Sequence, residues 1–350
     1  MICAFRGMTE GEGDAYKMRE KIVLIDGHSI LNRAFYGVPD LTNSEGLHTN
    51  AVYGFLNIMF KVLDEEKPEY LTVTFDVHAP TFRHRMFADY KGTRKPMAEE
   101  LRQQVPVIKD VLKAMGIEII EKEGLEADDL LGTISCMCEE KGMDVSIISG
   151  DRDTLQLATE HVKIRIPKTK QGRTEVEDYN AADVVEKYGV TPKEFIDVKA
   201  LMGDASDNIP GVPGVGEKTA TKIIQQYQSI ENAYEHADEL KPPRASKNLK
   251  EFWEQAKMSK VLATIETHAD IAFDVEKARM GELYTKEAYE LFQRLQFKNM
   301  LGRFEAGISA NEIEKNFKEV TERAEIEKIF EEARQAETAG AAFSRDPGNV

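Results

Sequence analysis

Four short apolar runs, most of them closed by acids, constrain this chain more than any other feature. "KIVLIDG" (21–27) ends at Asp26, "EYLTVTFD" (69–76) at Asp76, and "DVSIISGDRD" (144–153) at Asp151 and Asp153. "IEIIEKEG" (117–124) leads into "LEADDLLGTISCMCEEKG" (125–142), a helical pattern with Glu126, Asp128 and Asp129 at its start. Helical patterns such as "AVYGFLNIMFKVLDEE" (51–66) lie between the runs. Apolar runs alternating with helices predict an α/β fold with a mostly parallel central sheet and helices on both faces. Sites in such sheets lie at the carboxyl ends of the strands, where these acids fall.

One acid at a strand end is an ordinary turn or cap residue. Here Asp204 and Asp207 of "GDASDNIPGVPGVGEKTA" (203–220) bring the candidates to nine. Carboxylates packed together repel, and cations must offset the repulsion. No histidine or cysteine accompanies the acids in a way that suggests Zn²⁺, and an oxygen-only donor set suits Mg²⁺ or Mn²⁺. Nine carboxylates exceed the need of one such ion, so two ions are expected, an arrangement that fits a nuclease or a phosphatase.

The 203–220 stretch continues into a glycine hairpin, although the chain's net charge of −16 argues against a general nucleic-acid binder. "GVPGVGEKT" (211–219) departs from a nucleotide-binding P-loop twice: Glu217 separates Gly216 from Lys218, and a helix precedes it. "TPKEFIDVKALMGD" (191–204) and "GEKTATKIIQQYQ" (216–228) make it a helix–hairpin–helix. Gly211, Gly214 and Gly216 let a phosphate approach the backbone, the following amides point at it, and Lys218 and Lys222 add charge without reading sequence. A plain glycine turn between helices is the alternative. A second local reversal of charge lies at "TFRHRMFADYKGTRK" (81–95), where Arg83, Arg85, Lys91, Arg94 and Lys95 face only Asp89. Gly92 and Pro96 break the helical pattern there, so a mobile excursion from the sheet is expected, with Tyr90 placed to stack on a base. An ordinary solvated helix is the alternative.

Residues 18–310 resemble the 5′-nuclease (flap endonuclease) domain at the amino end of bacterial DNA polymerase I. The motifs that carry the resemblance are "LIDGHSILNRAFYG", "TFDVHAPTFRHRMFADYKGTRKPM", "GLEADDLLGT", "IISGDRDTLQL" and "LMGDASDNIPGVPGVGEKTA", in family order. The resemblance implies a PIN-like 5′-nuclease fold, with a helical arch around 81–110 and a helix–hairpin–helix subdomain. It implies that all nine acids, Asp26, Asp76, Glu126, Asp128, Asp129, Asp151, Asp153, Asp204 and Asp207, ligate the two ions or support the ligands. It places Lys91 and Arg94 at the foot of the arch against the scissile phosphate and Tyr90 at a stacking position. Arg83 and Arg85 are expected to contact DNA, as are Gly211, Val212, Gly214, Val215 and Gly216, whose carbonyls would also hold a K⁺ ion. The implied substrate is branched or nicked duplex DNA with a 5′ single-stranded end, RNA primer–DNA hybrids included. A non-catalytic branched-DNA binder and a PIN-type ribonuclease are the other readings.

The domain organisation follows the same division. Residues 1–17 lack periodicity and are expected to form a disordered extension, with Met18 the true or an alternative start. Residues 18–180 form the α/β core and 181–310 a helical DNA-binding region. Residues 311–350 resemble the truncated start of the next polymerase I domain, so the chain is expected to be either the amino-terminal part of a polymerase I or a free-standing nuclease, without polymerase activity. Three cysteines in so long a chain suggest reduced thiols in a cytosol, the resemblance implies a bacterial cytoplasm, and no apolar run is long enough to cross a membrane. Cys136 and Cys138 point apart on a helix and make a poor metal clamp as a pair. A monomer is expected.

Overall fold

The structure, a computed structural model, describes residues 19–170, 173–308 and Arg334. The expected extension over 1–17, the Met18 start and the tail over 311–350 lie outside the described residues. Among the described residues, those up to Phe297 make one compact unit, and Lys298–Ile308 belong to another.

All four apolar runs are strands: β1 Lys21–Asp26, β2 Tyr70–Thr74, β3 Glu118–Ile120 and β4 Asp144–Ile148. Two more, β5 Val162–Lys170 and β6 Arg173–Tyr179, extend the sheet to the order β3-β2-β1-β4-β5-β6. β1 to β5 run parallel, and β6 returns antiparallel to β5. The hairpin pair escapes a search for continuous apolar runs because it alternates polar and apolar residues, as in "VKIRIPKTK". β1 is the central strand, and Ile22, Val23, Leu24 and Ile25 are all essentially inaccessible. Burial on both faces demands such a run. The register sets Asp26 opposite Thr74, so the ends of β1 and β2 are level.

The helices are α1 Gly27–Gly37, α2 Asn50–Glu66, α3 Phe82–Met86, α4 Glu99–Arg102, α5 Gln104–Ala114, α6 Ala127–Glu140, α7 Ala181–Tyr188, α8 Pro192–Met202, α9 Glu217–Tyr227, α10 Ile230–Glu235, α11 Pro243–Glu251, α12 Trp253–Ala263, α13 Lys286–Arg294 and α14 Lys298–Ile308. Local chemistry sets several of their ends. Thr191 caps α8 through the Glu194 amide, and Glu194 closes a capping box with Pro192 at the first position. Glu126 caps α6 in a box completed by Asp129. Residues 243–263 hold two helices and residues 286–308 two more. Phe252 separates α11 from α12, and left-handed Gln296 (φ 62°) lies between α13 and α14. One apolar cluster joins the sheet to the helical region, from Leu24 and Leu155 to Val198, Ile224 and Leu249. Trp253 packs against it and stacks on Tyr234 with ring centroids 4.2 Å apart.

Candidate active site

Asp26 is both the last residue of β1 and the cap of α1. Its Oδ1 accepts from the Ser29 amide (2.9 Å) and its Oδ2 from the Ser149 hydroxyl (2.8 Å). Asp76, just past β2, accepts from the Ala127 amide at 2.8 Å, which ties the end of β2 to the start of α6. Asp128 follows in the first turn of α6, and Asp151 leads out of β4. These four carboxylates and Glu126 line one cavity of 1570 Å³, together with Lys91 and Arg94. The cavity opens where helices leave neighbouring strands β1 and β4, a place set by topology.

The electrostatics of this cavity are those of an anion cluster that its cations offset only in part. Burial, with Asp76 and Asp151 nearby, lifts the Asp26 carboxyl to about 6. Burial and the charges of Asp26 and Asp151 push Asp128 well above the ordinary carboxylate range. Asp128 Oδ1 is a buried oxygen with no hydrogen-bond partner. Asp76 goes the other way: burial would raise it, but His28 and the Ala127 amide bring it down to about 2. A buried orphan oxygen in an oxygen-only donor set fits a hard divalent cation, which would supply both the missing partner and the missing charge.

The remaining acids carry cations of their own. Lys199 bridges Asp153 (2.7 Å) and Asp204 (2.5 Å). Burial and Asp151 lift Asp153 to about 7 despite that lysine, whereas Asp204, opposed by burial but held by Lys199 and Ser206, falls to about 2. Asp207 accepts from the Tyr90 hydroxyl (3.2 Å) and from Arg94, and lies 3.8 Å from Lys91 Nζ. Lys91 Nζ bonds Glu126 at 2.7 Å. Burial would discharge this lysine, but Glu126 and Asp207 hold it above its ordinary value, so it stays an ammonium. Its backbone is left-handed (φ 57°), and its amide donates to the Asp207 carbonyl at 2.8 Å. The break after α3 thus turns Lys91 and Arg94 back onto the sheet edge.

Comparisons with known proteins give the family. The family model for the 5′-3′ exonuclease N-terminal, resolvase-like domain matches residues 21–189, and that for the 5′-3′ exonuclease C-terminal SAM fold matches 190–286. The chain belongs to the 5′-3′ exonuclease family. DNA polymerase I of Bacillus subtilis is 46% identical over 285 residues, 81% of this chain and 32% of that one. DNA polymerase I of Lactococcus lactis subsp. cremoris is 36% identical over 341 residues, 94% of this chain and 39% of that one. The chain therefore spans about a third of the length of these relatives. Among solved structures, T5 5′-exonuclease with bound zinc matches with a TM-score of 0.59 at 21% identity, over 83% of this chain and 98% of that one. The T5 D15 flap endonuclease in a pseudo-enzyme–product complex with DNA and metal ions gives a TM-score of 0.58 at 21% identity, with the same coverage. At such identities the likeness shows the fold.

Several residues expected at the exonuclease site play other parts. Arg83 is 2% exposed and cannot offer its guanidinium to DNA. It grips Asp129 with two bonds of 2.8 Å and donates to the carbonyls of Leu262 (3.0 Å) and Thr264 (2.6 Å). Asp129 is fully buried and spends its oxygens on Arg83 and the amides of Glu126 and Glu266, which leaves no face for a metal and only the supporting one of its two expected roles. Tyr90 is 3% exposed, packs with Ile209 and Leu262, and donates to Glu126 and Asp207, so it does not stack on a base. The 81–95 segment is accordingly pinned at its centre and is not a free excursion, while Arg85 and Arg94 stay exposed.

In the hairpin, Val212 and Val215 are buried, and only their backbones can face a ligand. A Cβ at Gly211 would meet the backbone of Gly203 at 2.3 Å, so this glycine serves close packing onto the end of α8. Gly216 at the start of α9 faces open space, and Lys218 and Lys222 are exposed. Lys199 and Arg33 were not singled out from the sequence. Arg33 lines the cavity with a buried Nε that lacks a partner. An i, i+4 step from Ser29 along α1 puts Arg33 on the same face, a signal available in "GHSILNR".

Proposed function

We propose that this chain hydrolyses DNA phosphodiesters as a divalent-metal-dependent 5′-3′ exonuclease and 5′-flap endonuclease. The observation that carries the reading is the cavity where five carboxylates, one with an orphan buried oxygen, face two positioned cations. The oxygen-only donor set favours Mg²⁺ or Mn²⁺. Asp26, Asp76, Glu126, Asp128 and Asp151 would hold one ion. Asp153, Asp204 and Asp207 would hold a second, provided Lys199 gives way. Ions bound there would supply Lewis-acid polarisation of a phosphoryl oxygen and a lowered pKa for an attacking water.

The protein's own groups do the positioning. Lys91 and Arg94 present fixed positive charge to a phosphate entering the cavity, and that charge counts most as negative charge develops in the transition state. Both are paired with Glu126 and Asp207, so an arriving phosphate exchanges one anionic partner for another and the lysine stem need not be ordered anew. The start of α9, with Lys218 and Lys222, suits a phosphate on a duplex arm. A K⁺ ion on the hairpin carbonyls would share them with Gln255, which bonds the Gly211 oxygen, and Asn248, which bonds that of Pro213. The substrate class is branched or nicked duplex DNA with a 5′ single-stranded end, primer hybrids included, as DNA repair and Okazaki-fragment processing require.

The test is cleavage of a 5′-flap duplex and of a plain RNA strand in Mg²⁺, Mn²⁺ or EDTA. Flap cleavage in either metal and none in EDTA is expected. Full activity in EDTA, or a folded protein that cuts only the RNA, overturns the reading.

A further inference from the structure

We propose that Cys136, Glu140 and His268 form a second metal site, on the surface and separate from the acidic cavity, that takes Zn²⁺. Cys136 and Glu140 stand one turn apart on α6, and His268 arrives on the loop after α12. Cys136 Sγ lies 3.8 Å from Glu140 Oε1 and 3.9 Å from His268 Nε2. All three donor atoms lie within 4.8 Å of one another. Bonds of about 2.0–2.3 Å to a tetrahedral ion place donor atoms about 3.3–3.8 Å apart, so the triad closes on such an ion with small side-chain shifts.

The loop is already fixed to α6. The Glu266 amide donates to Asp129 (2.9 Å), the Ala269 amide to Thr133 Oγ (3.2 Å), and the Thr133 hydroxyl to the Glu266 carbonyl (3.3 Å). The imidazole is oriented too: Thr267 Oγ lies 2.8 Å from His268 Nδ1, which leaves Nε2 toward the sulfur. A partner on the far ring nitrogen is the usual support of a ligating histidine. Sulfur and imidazole donors separate this site from the acidic cavity, because they favour Zn²⁺ over Mg²⁺. Three protein ligands leave the fourth position to water. Burial and the two neighbouring glutamates raise the Cys136 thiol, so without metal it keeps its proton. On binding, the S–H bond breaks, the S–metal bond forms, and one proton goes to solvent. The ion would staple the middle of α6 to the loop that shares Asp129 with Arg83.

Co²⁺ is the probe, added to the full chain under reducing conditions with excess Mg²⁺ to occupy the acidic cavity. One equivalent should produce the near-ultraviolet thiolate-to-Co²⁺ charge-transfer band, and Zn²⁺ should abolish it. The band should vanish in Cys136→Ser and persist in Cys138→Ala. In Glu140→Gln and His268→Ala, both at exposed positions, affinity should fall by about tenfold or more, since even the outer partners of metal ligands are worth about that. Native circular dichroism of each variant excludes misfolding as the cause. A wild-type chain that gives no thiolate band, or a band that survives Cys136→Ser, overturns the proposal.

Discussion

Replacing Arg83 with methionine removes a guanidinium that is only 2% exposed and keeps most of the side chain's length. Asp129, fully buried, would lose both of its guanidinium bonds and keep the amides of Glu126 and Glu266. The carbonyls of Leu262 and Thr264 would lose their donor as well. Breaking a buried pair by removing one partner costs about 3–5 kcal/mol, against about 0–1 kcal/mol for a pair at the surface. The expected loss for Arg83→Met is therefore about 3–5 kcal/mol, a large share of the roughly 5–15 kcal/mol that holds a domain. Urea unfolding in EDTA, followed by far-ultraviolet circular dichroism, measures it. Adding Asp129→Asn removes the stranded charge, so the double variant should be more stable than the sum of the single losses predicts by at least about 1 kcal/mol. A loss below about 1 kcal/mol with additive effects, joined to weaker DNA binding, would refute the reasoning. That pattern belongs to a solvent-facing arginine on a phosphate.

Three more outcomes follow. Lys91→Met should slow single-turnover flap cleavage by about 3–4 kcal/mol, the scale of one lost transition-state donor, while DNA affinity falls only modestly; a wild-type rate once bound places Lys91 outside the chemistry. Gly211→Ala should destabilise the fold, because the new Cβ meets backbone at 2.3 Å, whereas Gly216→Ala should fold normally and weaken duplex binding; thermal unfolding and a binding titration separate the two, and equal effects contradict the assignment. Glu66, buried between Lys21 and Lys163, is opposed by burial but pulled down to about 2 by those lysines. Its contribution is therefore complete above the unfolded value of about 4.3 and is lost as pH falls toward 2. Glu66→Gln should lower stability at pH 7 and flatten the acid limb below about pH 4.5, and an unchanged acid limb would count against this.

Much of the site is legible in the sequence. β1, β2 and β4 are strands because a run buried on both faces is mostly apolar, with only small hydroxyl residues such as Thr72, Thr74 and Ser146 among the apolar ones, and that pattern is local. The acids that end β1, or follow β2 and β4, mark the carboxyl edge by position alone. The capping box at Glu126 and the threonine cap at Thr191 are likewise short-range chemistry, readable over four residues. What failed was the assignment of roles among residues of one type. Arg83 and Arg94 lie in the same basic segment, yet one is buried and the other exposed. The difference comes from Leu262 and Thr264, about 180 residues away in the chain, whose carbonyls receive Arg83. Tyr90 lost its expected face to Ile209 and Leu262 in the same way. The glycines divided similarly, since Gly211 packs on Gly203 and Gly216 faces open space. The meeting of Cys136 with His268, 132 positions later, has no local signature. Period, capping and turn chemistry act over a few residues, so the sequence alone determined β1 to β4, the acids at or after the ends of β1, β2 and β4, and the helices between them, but not the β5–β6 hairpin. Which carboxylate keeps an unsatisfied oxygen for a cation, and which is already neutralised by a lysine or arginine, depends on desolvation and on partners from distant segments, and only the tertiary structure decided it.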